Sequence, residues 1–268
     1  MQILKLIGIG IIQGITELLP ISSSAHMLLL GNILNIDITS SLLILFHLGT
    51  TIAVILFLRK QLFKNFFSKK KLAFYGKILI ATIPAGVIGF LFEDIISKHL
   101  RTDWIIGLSL IVWGIVMIIL EKKETTLVKG KKLQTVEDVS LKQALAVGFS
   151  QALALIPGTS RSAITTITGI LVGLPKYVAL KFSFVLSIPI LLGSFTLFLF
   201  QNLKERSVFL NTVGEPFWIN IIVIFIITFL FGFLSLKLIE KFKKKNWLTF
   251  FGVYRILLGI IVLLSFFL

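Results

Sequence analysis

Residues 10–26 read GIIQGITELLPISSSAH, a polar, proline-bearing break in otherwise apolar sequence. Gln13 and Glu17 are spaced i, i+4 and share one face of a helix. Pro20 ends that helix, because its ring fixes φ and removes a backbone donor. A carboxylate at membrane depth is expensive unless it faces a polar cavity, a cation or a partner. Ser22, Ser23, Ser24 and His26 follow at once, so hydroxyls and an imidazole stand beside the acid. Working outward, the apolar runs within residues 3–34 are each too short to cross a bilayer, which takes roughly 20 apolar residues. The spacing predicts a helical hairpin that enters and leaves on one face, with its irregular backbone turned to a protein or polar interior.

Residues 141–174 repeat the plan around GFSQALALIPGTSRSAIT, residues 148–165. Gly10 and Gln13 match Gly148 and Gln151, and Pro20 with its serines matches the run from Pro157 to Arg161, with one residue of difference in spacing. Six further segments have the length to cross: about 41–58, 73–92, 104–120, 182–200, 217–236 and 248–267. Each half, about 1–120 and 141–268, then holds one hairpin and three crossings, and an odd number of crossings inverts the second copy. The expectation is an all-α polytopic membrane protein, a single membrane domain over 1–268, with an inverted repeat of about six transmembrane helices and two re-entrant hairpins. The plainer alternative is that low-complexity apolar sequence matches itself by chance.

Composition requires lipid as the solvent. Hydrophobic residues make up 56% and charged residues 15% of the 268, with mean hydropathy +1.00, more than a soluble core of this size hides. The net charge of +15 does not indicate nucleic acid, because the Lys and Arg fall between apolar spans rather than on one polar face. They suit the cytoplasmic side of a membrane and its anionic headgroups. Arg59, Lys60, Lys64, Lys69, Lys70, Lys71 and Lys77 sit in a connection without acids, expected to be cytoplasmic. Residues 93–103 are mixed in sign and expected outside. Lys122, Lys123, Lys129, Lys131 and Lys132 bring the chain back, as do Lys237, Lys241, Lys243, Lys244 and Lys245. The first hairpin then enters from outside and the second from inside. The absence of cysteine excludes disulfides, thiolate metal sites and cysteine nucleophiles. The N-terminal run is not read as a signal peptide, since Gln13, Thr16 and Glu17 interrupt it.

In the second break Gly158 permits close backbone approach. Thr159, Ser160, Ser162 and Thr165 surround Arg161, the only cation between Lys142 and Lys176. A guanidinium fork suits phosphate, and a helix beginning after Pro157-Gly158 would aim free N–H groups at the same anion. The bland readings are a structural salt bridge between Arg161 and Glu17, and serines that serve as helix-packing glue. An anion-binding Arg, a carboxylate, hydroxyls and a His are instead the parts for phosphoryl-group hydrolysis, with a divalent cation, Mg2+ or Ca2+, held near Glu17. At membrane depth the substrate is an amphiphile with a phosphate head.

QGITELLPISSSAH and PGTSRS together resemble the signatures of the undecaprenyl-diphosphate phosphatase family, the bacitracin-resistance type of integral membrane phosphatase. The similarity covers essentially the whole chain, with His47-Leu-Gly-Thr, Phe182-Ser-Phe, Ser187-Ile-Pro189 and Tyr254-Arg255 in support. The resemblance implies removal of the terminal phosphate of a polyprenyl diphosphate lipid, recycling of the carrier for cell-wall synthesis, and bacitracin resistance. It implies Glu17 as metal or base residue with Gln13 beside it. Ser23 and His26 are the candidates for nucleophile or acid–base work, between which the sequence does not choose. Arg161 is implied as the diphosphate clamp, with Ser22, Ser160, Ser162 and Thr165 as polar positions around the substrate. It further implies a multi-pass protein of the inner (plasma) membrane with its site facing the outer side, and is compatible with a homodimer.

Three positions depart from the family pattern: Gln13 where many members have Glu, Ala163 in place of Gly after SRS, and Leu43 where an acid often precedes the HLG segment. Ala163 would restrict the backbone if that position needs positive φ. The competing reading is a secondary transporter or lipid flippase built on the same inverted repeat, and a third is a scramblase or receptor without chemistry. The paired-histidine lipid phosphatases are a poor match, since the chain has only His26, His47 and His99.

Overall fold

A computed structural model describes residues 2–36, 38–127, 135–202, 216–242 and 246–267. Lys129, Lys131, Lys132, Lys243, Lys244 and Lys245, used above for orientation, lie outside the described residues. The described residues form helices and turns without strands. In chain order the α-helices are α1 (Gln2–Glu17), α2 (Ser23–Leu34), α3 (Ser40–Phe57), α4 (Arg59–Phe63), α5 (Lys69–His99) and α6 (Asp103–Leu127). They continue with α7 (Leu141–Ser150), α8 (Arg161–Leu171), α9 (Lys176–Asn202), α10 (Phe217–Phe242) and α11 (Trp247–Phe267), with short 3₁₀ turns at Val136–Asp138 and Gln151–Leu155.

Each expected crossing has a helix, and α5, α6, α9, α10 and α11 are long and apolar enough to span a membrane. The protein is thus an all-α, multi-pass membrane protein. The first crossing is the short one: α3 has 18 residues, about 27 Å at 1.5 Å per residue, against a hydrocarbon core of about 30 Å. Thr39 starts it, its hydroxyl accepting from Leu42 N at 3.2 Å. Lipid-facing sides show where the solvent is. On α10, Trp218, Ile222, Ile226, Leu230, Leu234 and Leu238 form an exposed i+4 stripe, the reverse of the polar outer face of a soluble helix.

Two compact units divide the described chain, and each draws on both halves of the sequence. The first holds Met1–Leu19, Ser23–Leu62 and Ser187–Glu240. Its core gathers Leu6, Ile9, Met27, Leu42, Phe46 and Ile224, and Ser235 of α10 donates to Ile15 O of α1 at 2.9 Å. The second holds Pro20–Ser22, Phe63–Leu186 and Lys241–Leu268. Within it α6 and α11 run antiparallel, and glycines set the approach. A Cβ at Gly114 would stand 2.7 Å from Gly252 O, and one at Gly252 would stand 2.7 Å from Gly114 O, with Gly107 and Gly259 meeting in the same way. These helices are the last crossings of the two halves, and their antiparallel pairing is what an inverted second copy requires.

The lysine-rich connection is less bare than its own sequence implies. Lys70 pairs with Asp138 at 2.7 Å and Lys71 with Glu137, while Lys77 donates to Val139 O at 2.5 Å. Acids from the distant 136–138 turn thus neutralise part of the run. Hydrogen bonds from Lys70 and then Thr135 hold the Asp138 carboxyl below the usual carboxylate range.

The hairpins repeat each other in backbone detail, at one constant offset. α1 stops before Pro20 and α2 starts after Ser22; α7 tightens into a 3₁₀ turn before Pro157, and α8 starts after Ser160. Ser22 and Ser160 both adopt φ 70, a left-handed conformation that costs a non-glycine residue about 1–2 kcal/mol. α2 ends on Asn35 at φ 53 with Ile36 N donating to Gly31 O, and α8 ends on Gly173 at φ 87 with Leu174 N donating to Gly169 O. Both are Schellman stops. This register corrects the spacing read from the sequence. The serines, not the prolines, are equivalent, Pro20 corresponds to Gly158, and no residue is gained or lost between the motifs.

Candidate active site

In the first unit the acid of the first break is held by three donors on one oxygen. Gln13 Nε2 lies 3.1 Å from Glu17 Oε2 across one helical turn, as their spacing predicted. Ser23 Oγ donates to the same oxygen at 2.5 Å from the start of α2. The third donor is His47 Nε2 at 3.1 Å, reaching in from α3. Glu17 and Gln13 are buried, while Ser23 and His26 are half-buried. His26 stands one turn beyond Ser23 on α2. A nucleophile-type hydroxyl on a carboxylate that is itself oriented by an imidazole is the arrangement used to activate an oxygen for attack.

In the second unit α8 begins at Arg161, the position equivalent to Ser23. Ser160 caps it, its Oγ accepting from Ala163 N at 3.4 Å and lying 3.2 Å from Ser162 Oγ. Ala163 is inside the helix, so the substitution of Ala for Gly places no demand on φ there; positive φ falls on Ser160. Thr165 donates to Arg161 O at 2.7 Å, so its single proton is spent and the 2.6 Å bond to Ser183 of α9 is donated by Ser183. Thr165 therefore fastens α8 in place. Gly158 is needed on two counts: its φ is 88, and a Cβ would stand 2.6 Å from Ile106 O.

Arg255 of α11 fixes both tips. Its guanidinium is fully buried and donates to Pro20 O at 3.1 Å, Gly158 O at 2.7 Å and Thr159 O at 3.0 Å. Cationic donors to neutral carbonyls make stronger hydrogen bonds than neutral ones do. Neither Arg255 nor His47 was singled out for chemistry from the sequence. Both are polar groups inside apolar crossings, and both stand in stretches that carry the family resemblance, which assigned them no role.

Buried polar atoms without a hydrogen-bond partner concentrate at the two breaks: Gln13 Oε1 in the first, both amide atoms of Gln151 and the hydroxyls of Thr159 and Thr166 in the second. Among the described residues no three His, Cys, Asp or Glu side chains gather around a metal. Glu17 and Gln13 Oε1 are hard oxygen donors of the kind Mg2+ and Ca2+ take, and Mg2+ in particular is commonly held by one or two carboxylates plus substrate phosphates. The donor set fits a cation shared with a substrate rather than one caged by protein.

The chain was compared with known proteins. It is 39% identical to "Undecaprenyl-diphosphatase 1" of Clostridioides difficile (strain 630), over 100% of this chain and 97% of that protein. It is 37% identical to "Undecaprenyl-diphosphatase" of Enterococcus faecalis (strain ATCC 700802 / V583), over 97% and 95% of the two chains. To the protein of that name from Sulfurimonas denitrificans (strain ATCC 33889 / DSM 1251) it is 38% identical, over 99% and 100%. The pattern of the family described as bacitracin resistance protein BacA matches residues 6–261, and the chain belongs to that family.

Proposed function

We infer that this chain is a membrane-embedded undecaprenyl-diphosphatase, converting undecaprenyl diphosphate to the monophosphate and inorganic phosphate. Its relatives carry that name over nearly their whole length, and the bacitracin-resistance family to which it belongs accounts for the resistance and cell-wall roles. The transporter reading draws no support from those relatives.

The observation that carries the mechanism is the 2.5 Å bond from Ser23 Oγ to Glu17, with His47 on the same oxygen. In the proposed first step Glu17 takes the Ser23 proton as Oγ bonds to the terminal phosphorus. The bond from that phosphorus to the bridging oxygen breaks, and the lipid leaves as its monophosphate. Water then attacks the phosphoserine, and Glu17 returns its proton to Ser23 Oγ as inorganic phosphate departs. His26, one turn along α2, is assigned to take a proton from that water and pass it to the phosphate. Arg161, with the first N–H groups of α8, binds the diphosphate and offsets the charge that gathers on its oxygens. A divalent cation, Mg2+ or Ca2+, bound by Glu17 and Gln13 Oε1, would neutralise diphosphate charge. We propose that the site faces the outer side of the plasma membrane, as the family resemblance implies; a homodimer is compatible with this reading.

Purified protein supplied with undecaprenyl diphosphate should release phosphate, and chelation of divalent cations should suppress the release. Acid quenching should trap phosphate on Ser23. Full turnover by Ser23→Ala would reject Ser23 as the nucleophile and pass that role to His26, whereas an unmodified chain that moves the lipid between leaflets and frees no phosphate would overturn the enzyme reading.

A further inference from the structure

Gln151 is an amide that the fold buries and leaves without partners. It is 3% exposed, and neither Oε1 nor Nε2 has a hydrogen-bond partner. The internal repeat explains how this arises. Gln13, its equivalent in the first hairpin, donates to Glu17 one turn later; in the second hairpin the residue one turn later is Leu155. The second copy thus has the amide without the carboxylate. An unpaired buried amide carries the desolvation cost of both its polar atoms, and Leu or Met would fill the same space without that cost. Gln151 also stands where α7 gives way to the 3₁₀ turn that packs against α5 and α8. Thr159, two residues before Arg161 and 1% exposed, adds an unpartnered buried hydroxyl on the same break.

We propose that Gln151 is a phosphate-binding residue, its amide hydrogen-bonding the phosphate group held at the second break. An amide presents a donor and an acceptor together. This matches a hydrogen phosphate, which offers acceptor oxygens and one O–H, better than it matches a fully ionised anion. The proposal rests on the diphosphatase reading and extends it to the departing product: Gln151 is most engaged with the phosphate that has just been released.

The test compares the unmodified full chain with Gln151→Met and Gln151→Glu in detergent. Three quantities are read: the shift in thermal midpoint caused by inorganic phosphate, the inhibition constant of inorganic phosphate, and KM against kcat for the lipid. Gln151→Met should unfold at a higher temperature without ligand, because an orphaned amide is gone. It should lose most of the phosphate-induced shift, and its phosphate inhibition constant should rise about tenfold or more. Gln151→Glu, of the same size but charged, should weaken phosphate further. In both variants the phosphate inhibition constant should change more than KM or kcat for the lipid. An equal phosphate shift and inhibition constant in all three proteins would overturn the proposal and leave Gln151 a buried group facing water. Should Gln151→Met not fold, Gln151→Glu decides by the same readings. The thermal shift needs no turnover, so an unmodified chain that shows a Gln151-dependent shift but frees no phosphate from the lipid would refute the diphosphatase reading alone.

Discussion

In the first break a carboxylate, Glu17, takes hydrogen bonds from Gln13, Ser23 and His47. In the second the equivalent position is Leu155, and the residue after the strained serine is Arg161 instead of Ser23. The backbone device is the same in both: a helix that stops, a serine at φ 70, a new helix and a Schellman end. What differs is charge. One copy carries the acid and the hydroxyl, the other the cation and a capped helix N-terminus. Under the proposed mechanism the costly backbone feature is duplicated and the chemistry divided between the copies, the second binding the electrophile and the first supplying the nucleophile.

The largest effects should follow from removing the charge of either break. Glu17→Gln removes the base from the first and Arg161→Ala the cation from the second; each should lower phosphate release by about 10³-fold or more, the range for transition-state arginines. Retention of a tenth of the activity by either variant would end the division of labour argued above. Next comes the side chain that binds both tips. Arg255→Met leaves the carbonyls of Pro20, Gly158 and Thr159 without their donor, and should cost about 3 kcal/mol of stability, read by chemical unfolding in detergent, with turnover falling too.

A smaller loss, about 2 kcal/mol, is expected for Gly158→Ala, from the positive φ and the crowded Ile106 carbonyl. The first break has Pro20 at that position, so this requirement belongs to the second break alone. The smallest effect sharpens the likeness of the copies. Ser160→Gly relieves the φ 70 strain but loses the cap on Ala163 N, so the midpoint should move by less than about 1 kcal/mol in equivalent stability. A loss of several kcal/mol would show that the Ser160 hydroxyl holds more than a helix end.

Much of the fold was legible because hydropathy and proline act locally. All six crossings have helices near the expected bounds, and both breaks fall at their prolines. The Gln13–Glu17 contact followed from i, i+4 spacing. Counting from the prolines puts the two breaks one residue out of register, because the serines, whose backbone angles define the repeat, are less conspicuous in sequence. Ala163 departs from the family pattern without a backbone consequence, because it lies inside α8 and the positive φ falls on Ser160.

The sequence by itself determined that lipid is the solvent, where the chain crosses it, and where two polar breaks interrupt the apolar runs. These properties depend on neighbours along the chain: a run of apolar residues, a missing donor at proline, a charge one helical turn from an amide. Tertiary structure alone decided that His47 lies on Glu17, that Arg255 binds the carbonyls of both tips, and that Thr165 is committed to Ser183. Each of those contacts joins residues from separate helices, and nothing in the local spacing of either partner encodes which distant group the packing brings within hydrogen-bond reach.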